Sequence, residues 1–175
     1  MRALRASKRG TPVAVDTSVI GRPTGSSRVV IERGPVSNFA ASVKDENPIY
    51  RDPGAAKAAG FDDIPAPPTF GFSMRHWGTF GEIQPKSDVK GNPMMEIIGT
   101  LMSKGGLVLH GEEEFVYHRP IVVGDELVSE GKIVDVYEKE SKGKTMTFLV
   151  SETVWKDDKT GEPVLTERFN LIHRS

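Results

Sequence analysis

Apolar positions along this chain follow two different periods. Residues 1–25 show little of either: Gly and Pro punctuate them ("RGTP", "GRPTGSS"), and they read as tail and lead-in. "SSRVVIE" (26–32) is dense in β-branched residues and predicts a short strand. Gly34-Pro35 then opens a helix, and Val36, Phe39, Ala40 and Val43 fall at i, i+3, i+4 and i+7 to make one apolar stripe. Pro48 disfavours helical geometry at Asn47, so the chain turns into a loop there. Asp52-Pro53 restarts a short Ala-rich helix that Gly60 stops. The Pro-dense "DIPAPPTF" (63–70) is irregular. The spacing then predicts a long helix over 69–83, with Phe70, Met74, Trp77 and Phe80 near one face. Gly71, Gly78 and Gly81 each cost up to about 1 kcal/mol there, which points to close packing against a sheet or another backbone.

From residue 107 onward the period becomes two. Residues 107–121, 126–137, 144–156 and 163–173 form four β-runs separated by "VGDE", "EKESKGK" and "DDKTGEP". In the third run Met146, Phe148, Val150 and Val154 alternate with Thr145, Thr147, Ser151 and Thr153, the signature of a half-buried strand. The short connections imply an antiparallel meander. The expected class is α+β: a tail (1–17), then one domain (18–175) with an insertion or flap at 84–106. The apolar piece "MMEIIGTLM" in that insertion either covers a ligand tunnel or packs an interface.

Composition narrows the function classes. A net charge of −1 sets aside nucleic acid and anionic lipid as partners. The absence of cysteine excludes disulfides, thiolate metal sites and a Cys nucleophile. No apolar run approaches the roughly 20 residues of a membrane span. "MRALRASKRG" lacks the apolar stretch of a secretory signal; a transit peptide stays open, and the expectation is a frayed tail on a cytoplasmic protein. No cofactor or metal is expected. His110, Glu112 and Glu114 would share a face under strict alternation, but a charged strand edge explains them more simply.

Three strings carry a resemblance: "VKDENPIY" (43–50), "IPAPPTF" (64–70) and "LHGEEEFVYHRPIVVGDEL" (109–127). Over roughly residues 18–173 the chain resembles MaoC-like dehydratases and type-2 (R-specific) enoyl-CoA hydratases. It is most similar to their N-terminal, dehydratase-like half or subunit. That resemblance implies a hot-dog fold, a curled antiparallel sheet wrapping one long helix. It also implies an acyl-CoA or acyl-carrier-protein thioester ligand, and a homodimer or a heterodimer with another hot-dog subunit.

The family motif is Asp-x-Asn-Pro-x-His, its Asp and His holding a water while N–H groups at the long helix's start polarise the thioester carbonyl. Here Asp45 matches the acid, Asn47-Pro48 the turn, and Tyr50 stands in the histidine's place. A phenol, with an ordinary pKa near 10, is a poor base at neutral pH. Where relatives carry His-Gly at the helix start, this chain has Pro67-Pro68-Thr69. The resemblance therefore gives Asp45 and Tyr50 as catalytic candidates. It gives Asn47, Thr69, Phe70, Gly71 and Arg119 as substrate-binding candidates.

Each has a structural alternative. Asp45 either does chemistry or caps the turn before Pro48. Tyr50 either bonds Asp45 or lines the tunnel. Arg119 meets a phosphate or pairs with a carboxylate across a dimer. His76 and Trp77 read as core and core-edge residues, and Gly124-Asp125 as a plain turn.

Overall fold

Turn and cap chemistry sets most element boundaries in the computed structural model, which describes residues 15–86 and 91–175. The residues read as tail fall largely outside that range. Strand β1 (Pro23–Val30) leads into helix α1 (Arg33–Ser42), whose Val36 and Ala40 are fully buried. Val43, the last residue of the expected stripe, lies just past the helix and is exposed. Helix α2 (Pro53–Ala58) starts as its sequence demands: Asp52 Oδ1 accepts from the N–H groups of Gly54 and Ala55 at 2.6 and 3.2 Å. Gly60 follows it with a left-handed φ of 91°.

Helix α3 spans only Phe70–Trp77, not 69–83. At Gly78 the backbone presses against β1. The Val30 N–H donates to the Gly78 carbonyl at 3.1 Å, and a Cβ on Gly78 would lie 2.3 Å from the Val30 carbonyl oxygen. The chain leaves the helix there, and Gln84 holds the exit by accepting from the Arg28 N–H at 3.1 Å and donating to the Arg28 carbonyl at 2.8 Å. Trp77 and Phe80 are consequently exposed, at 54% and 39%, rather than aligned with buried Phe70 and Met74. His76 is exposed as well, so the core reading of the His76-Trp77 pair does not hold.

After helix α4 (Pro93–Met102) come β2 (Leu107–Tyr117), β3 (Glu126–Ser141), β4 (Lys144–Asp157) and β5 (Pro163–Arg174). The five strands form one antiparallel sheet in the order β1-β3-β4-β5-β2. The meander holds for β3-β4-β5, but β2 lies at the far edge beside β5. Its connection to β3 is stitched across the sheet's end: Val123 donates to the Ile64 carbonyl, Gly124 to Ile31, and Ile31 to Asp125. These bonds take the segment away from a hairpin path.

The β4 alternation is real, but the inward face is the opposite one. Leu149 and Trp155 are buried in the core, with Thr147 and Ser151 on their side of the strand. Phe148 is covered instead by stacking on Tyr137, with centroids 4.7 Å apart. One apolar cluster, including Val36, Phe70, Met74, Trp155 and Leu165, sits under α1 and α3. A second, with Val19, Met94, Ile98, Ile133 and Leu149, sits under α4. The 84–106 excursion thus carries a packed helix. Among the described residues no helix is long and apolar enough to cross a membrane.

Candidate functional site

The loop after α1 is built by its own side chains. Lys44 takes a left-handed φ of 59°, which reverses the chain. Asp45 Oδ1 accepts from the Asn47 N–H at 3.0 Å, and Asn47 Oδ1 from the Ile49 N–H at 3.2 Å. Arg51 donates to the Asp45 carbonyl at 2.9 Å, and the Ser37 hydroxyl to the Tyr50 carbonyl at 3.0 Å. Both polar residues of the motif therefore shape the turn. Tyr50 is only 9% exposed, and its pKa is raised, first by burial and then by the Asp45 charge.

Tyr50 lines an open groove of about 400 Å³ with Ile49, Phe61, Pro68, Tyr117 and Arg119. Tyr50 and Arg119 are the only predicted site residues on that lining; Asp45, Asn47, Thr69, Phe70 and Gly71 lie off it. At the start of α3 the Phe70 N–H donates to the Pro67 carbonyl at 2.9 Å, and the Thr69 side chain makes no capping bond. Gly71 is buried: a Cβ there would meet Leu165 Cδ2 at 2.6 Å and Glu167 Oε1 at 3.0 Å.

Tyr117 was not a candidate from the sequence, yet its hydroxyl donates to the Pro68 carbonyl at the groove's edge. Burial, then the Glu167 and Glu113 charges, push its pKa up. Alternation along "EEEFVYH" places Glu113, Phe115 and Tyr117 on one face, which was the available signal.

Arg119 pairs with two carboxylates of its own chain. It donates to Asp125 at 2.7 and 3.2 Å and to Asp157 at 2.9 Å. The supposed plain turn at Asp125 is half of this clamp, since Asp125 also accepts from the Val122 N–H at 3.0 Å. The His110, Glu112 and Glu114 triad does not converge. The β2–β5 register slips between His110 and Glu112, a bulge at Gly111 that brings His110 to 3.6 Å from Glu113 instead.

Beneath α3 lies a second polar group that the sequence reading did not mark. Glu167 of β5 accepts from Trp155 Nε1 at 3.0 Å and from Arg75 at 2.5 Å. Glu113 lies close enough for its carboxyl to be raised to about 7, by burial and then by Glu167, with Arg75 opposing.

Residues 18–167 match the family model described as "FAS1-like, dehydratase domain region". The chain belongs to that dehydratase family. A "UPF0336 protein" of Saccharopolyspora erythraea is 34% identical over 163 residues, covering 91% of this chain and 92% of that one. A "Probable enoyl-CoA hydratase alpha subunit" of Thermomonospora curvata is 27% identical over 143 residues, 78% of this chain and 43% of that one. Among solved structures, the ChsH1-ChsH2 complex from Mycobacterium tuberculosis is similar with a TM-score of 0.68 at 25% identity, over 86% of this chain and 83% of that one. The fold is that of MaoC-like hot-dog dehydratases. Within this family frame, the Tyr50 groove lies beside the start of the hot-dog helix.

Proposed function

We propose that this dehydratase-family chain is the acyl-thioester-binding subunit of an (R)-specific 3-hydroxyacyl-thioester dehydratase or enoyl-CoA hydratase. It acts with a catalytic hot-dog partner in fatty-acid or related acyl-CoA metabolism. One observation carries the reading: the groove beside α3 presents Tyr50, with its pKa raised, where the resemblance calls for a histidine. Hydration of an enoyl thioester needs a group that takes a proton near neutral pH. A phenol titrating above about 10 is almost wholly protonated there and acts only as a hydrogen-bond donor.

Asp45 keeps the acid's place in the motif, and by resemblance the thioester carbonyl falls to the start of α3, where the Phe70 N–H is already engaged by Pro67. The groove suits an acyl-CoA or acyl-carrier-protein thioester, its apolar wall of Ile49, Phe61 and Pro68 facing the chain. A hot-dog partner is supported by β2, a sheet-edge strand with Leu107, Leu109 and Val116 exposed. It is also supported by the two-component ChsH1-ChsH2 neighbour.

The deciding experiment measures hydration of a trans-2-enoyl-CoA by the purified chain, alone and with a hot-dog chain bearing an intact Asp-x-Asn-Pro-x-His motif. Turnover only in the mixture supports the subunit reading. Thioester binding without turnover in either case favours a homodimeric, non-catalytic binding protein. Full activity alone overturns both.

A further inference from the structure

With only eight residues, α3 leaves part of the sheet's inner face uncovered. Between α3 and the start of α4 lies a cavity of about 360 Å³, within the range of about 300–1,000 Å³ found for ligand pockets. Ser129, Ser151 and Thr153 furnish its floor, and Phe72 and Phe169 an apolar wall. It shares no lining residue with the Tyr50 groove. The inverted face of β4 is explained here: its inward hydroxyls surface this space.

Glu113 of β2 lines the same cavity. Side chains alternate along a strand, so Glu113 points to the inner face while Glu112 and Glu114 take the outer one. Its neighbour in register on β5 is Phe169. The bulge brings His110 to 3.6 Å from the carboxylate, and the His110 ring packs edge-on against Phe169 with centroids 4.7 Å apart. The Glu113 side chain is only 11% exposed, and among the described residues none donates a hydrogen bond to it.

A carboxylate so enclosed is favourable as an anion only beside a donor or a cation. The charged and titratable groups around it are Arg75 and His76 of α3, Glu167 of β5 and His110 of its own strand. Arg75 is already bonded to Glu167. Burial first, then the Glu167 charge, raise the Glu113 carboxyl to about 7, and Arg75 opposes them by less. An anionic ligand would therefore meet two carboxylates against one guanidinium. A bare alkyl group would leave Glu113 unpaired. An ammonium brings both the charge and the N–H donors. Phenyl rings attract a cation, and the hydroxyls of Ser151 and Thr153 accept hydrogen bonds from its remaining N–H groups.

We infer that this cavity binds a small primary amine in its ammonium form, the cation on Glu113 and an apolar body against Phe72 and Phe169. The inference stands apart from the proposed thioester role, because it uses different residues, and its test involves no thioester.

The purified full chain is titrated calorimetrically with cyclohexylammonium, cyclohexanol and cyclohexanecarboxylate, which share a ring and differ in polar group. At about pH 8 only the ammonium is expected to bind saturably. A proton competes with the amine for Glu113, while the amine itself stays charged, so wild-type affinity should fall about tenfold from about pH 8 to about pH 6. Glu113→Gln, close in size, should remove both the binding and its pH dependence. His110→Gln should keep both, which assigns the titration to the carboxylate rather than the imidazole. No saturable binding of the ammonium, equal binding of the alcohol or the carboxylate, or a wild-type affinity unchanged between the two pH values would overturn the inference, and none of these outcomes needs a variant to fold. Binding that survives Glu113→Gln in folded protein would overturn it too.

Discussion

Trp155 Nε1 donates to Glu167 Oε2 at 3.0 Å between neighbouring strands, with both residues only 1% exposed. The Arg75 guanidinium meets the same oxygen and lies 5.8 Å from the Trp155 ring centroid. A carboxylate so enclosed is tolerable only because it is paired. Glu167→Ala leaves the Arg75 charge and the Trp155 N–H without their acceptor and is expected to destabilise the protein by about 3–5 kcal/mol. Glu167→Gln, which keeps an acceptor, should cost about 1–3 kcal/mol. Urea unfolding followed by Trp fluorescence checks both, and equal costs would show that the charge is irrelevant.

Glu113 makes stability depend on pH. Its carboxyl is raised from 4.5 to about 7 in the fold, so between those values the folded state holds more protons than the unfolded one. Its contribution is therefore fully present below about 4.5 and is lost as pH rises through about 7. Allowing for solvent screening, Glu113→Gln should remove about 1–2 kcal/mol of that fall. Unfolding free energies of wild type and variant at several pH values decide it; parallel curves would exclude Glu113 as the group responsible.

The loop chemistry is tested by exchange at one position. Wild-type chain alone should hydrate trans-2-enoyl-CoA weakly or not at all, since losing a general base costs about 10²–10⁴ in rate. Tyr50→His should raise any residual rate, and Asp45→Asn should abolish it without unfolding the chain. Robust wild-type turnover that survives Asp45→Asn would place the chemistry elsewhere.

The free edge of β2 predicts association. Leu109 and Val116 are 37% and 47% exposed on that strand, and a sheet edge of this kind invites a partner. Light scattering should show a dimer of the chain or a complex with a hot-dog partner, and Val116→Lys should weaken either. A monomer across micromolar concentrations, with and without the partner, would refute this.

Two glycines should respond in opposite directions. Gly78→Ala drives a methyl to 2.3 Å from the Val30 carbonyl oxygen and should cost about 1–3 kcal/mol. Gly99 lies inside α4 with nothing within 4 Å of a Cβ, so Gly99→Ala should stabilise by about 0.5–1 kcal/mol. Thermal melts of the pair distinguish packing from propensity.

The strands were legible because their ends are written in turn residues; "DDKTGEP" closes one hairpin whatever surrounds it. The loop motif was legible for the same local reason, since Asp45 and Asn47 bond their own backbone. What escaped depended on neighbours distant in sequence. Gly78 looks like any glycine in an apolar helix until Val30 is placed against it. The face of β4 hangs on a cavity that no local pattern announces. The bulge at Gly111 is set by β5, where a Cβ would strike Ile172 Cδ1 at 2.7 Å. Glu167 was visible, however: it interrupts the row Leu165, Phe169, Leu171 with a charge, and such a break usually has a buried partner.

The brevity of α3 also separates two jobs within one sheet. The seat of the helix rests on Gly71 and Gly78, where even a methyl group is excluded, so its sequence has little freedom to drift. On β4, which pairs with a strand on either side, the floor beside it is furnished by Ser151 and Thr153, and each can be exchanged for a residue of similar size. Selection, or a protein engineer, can thus re-line the cavity one hydroxyl at a time while the helix and its loop stay where they are. Diversity among related chains should accumulate at Ser151 and Thr153 long before it reaches Gly78.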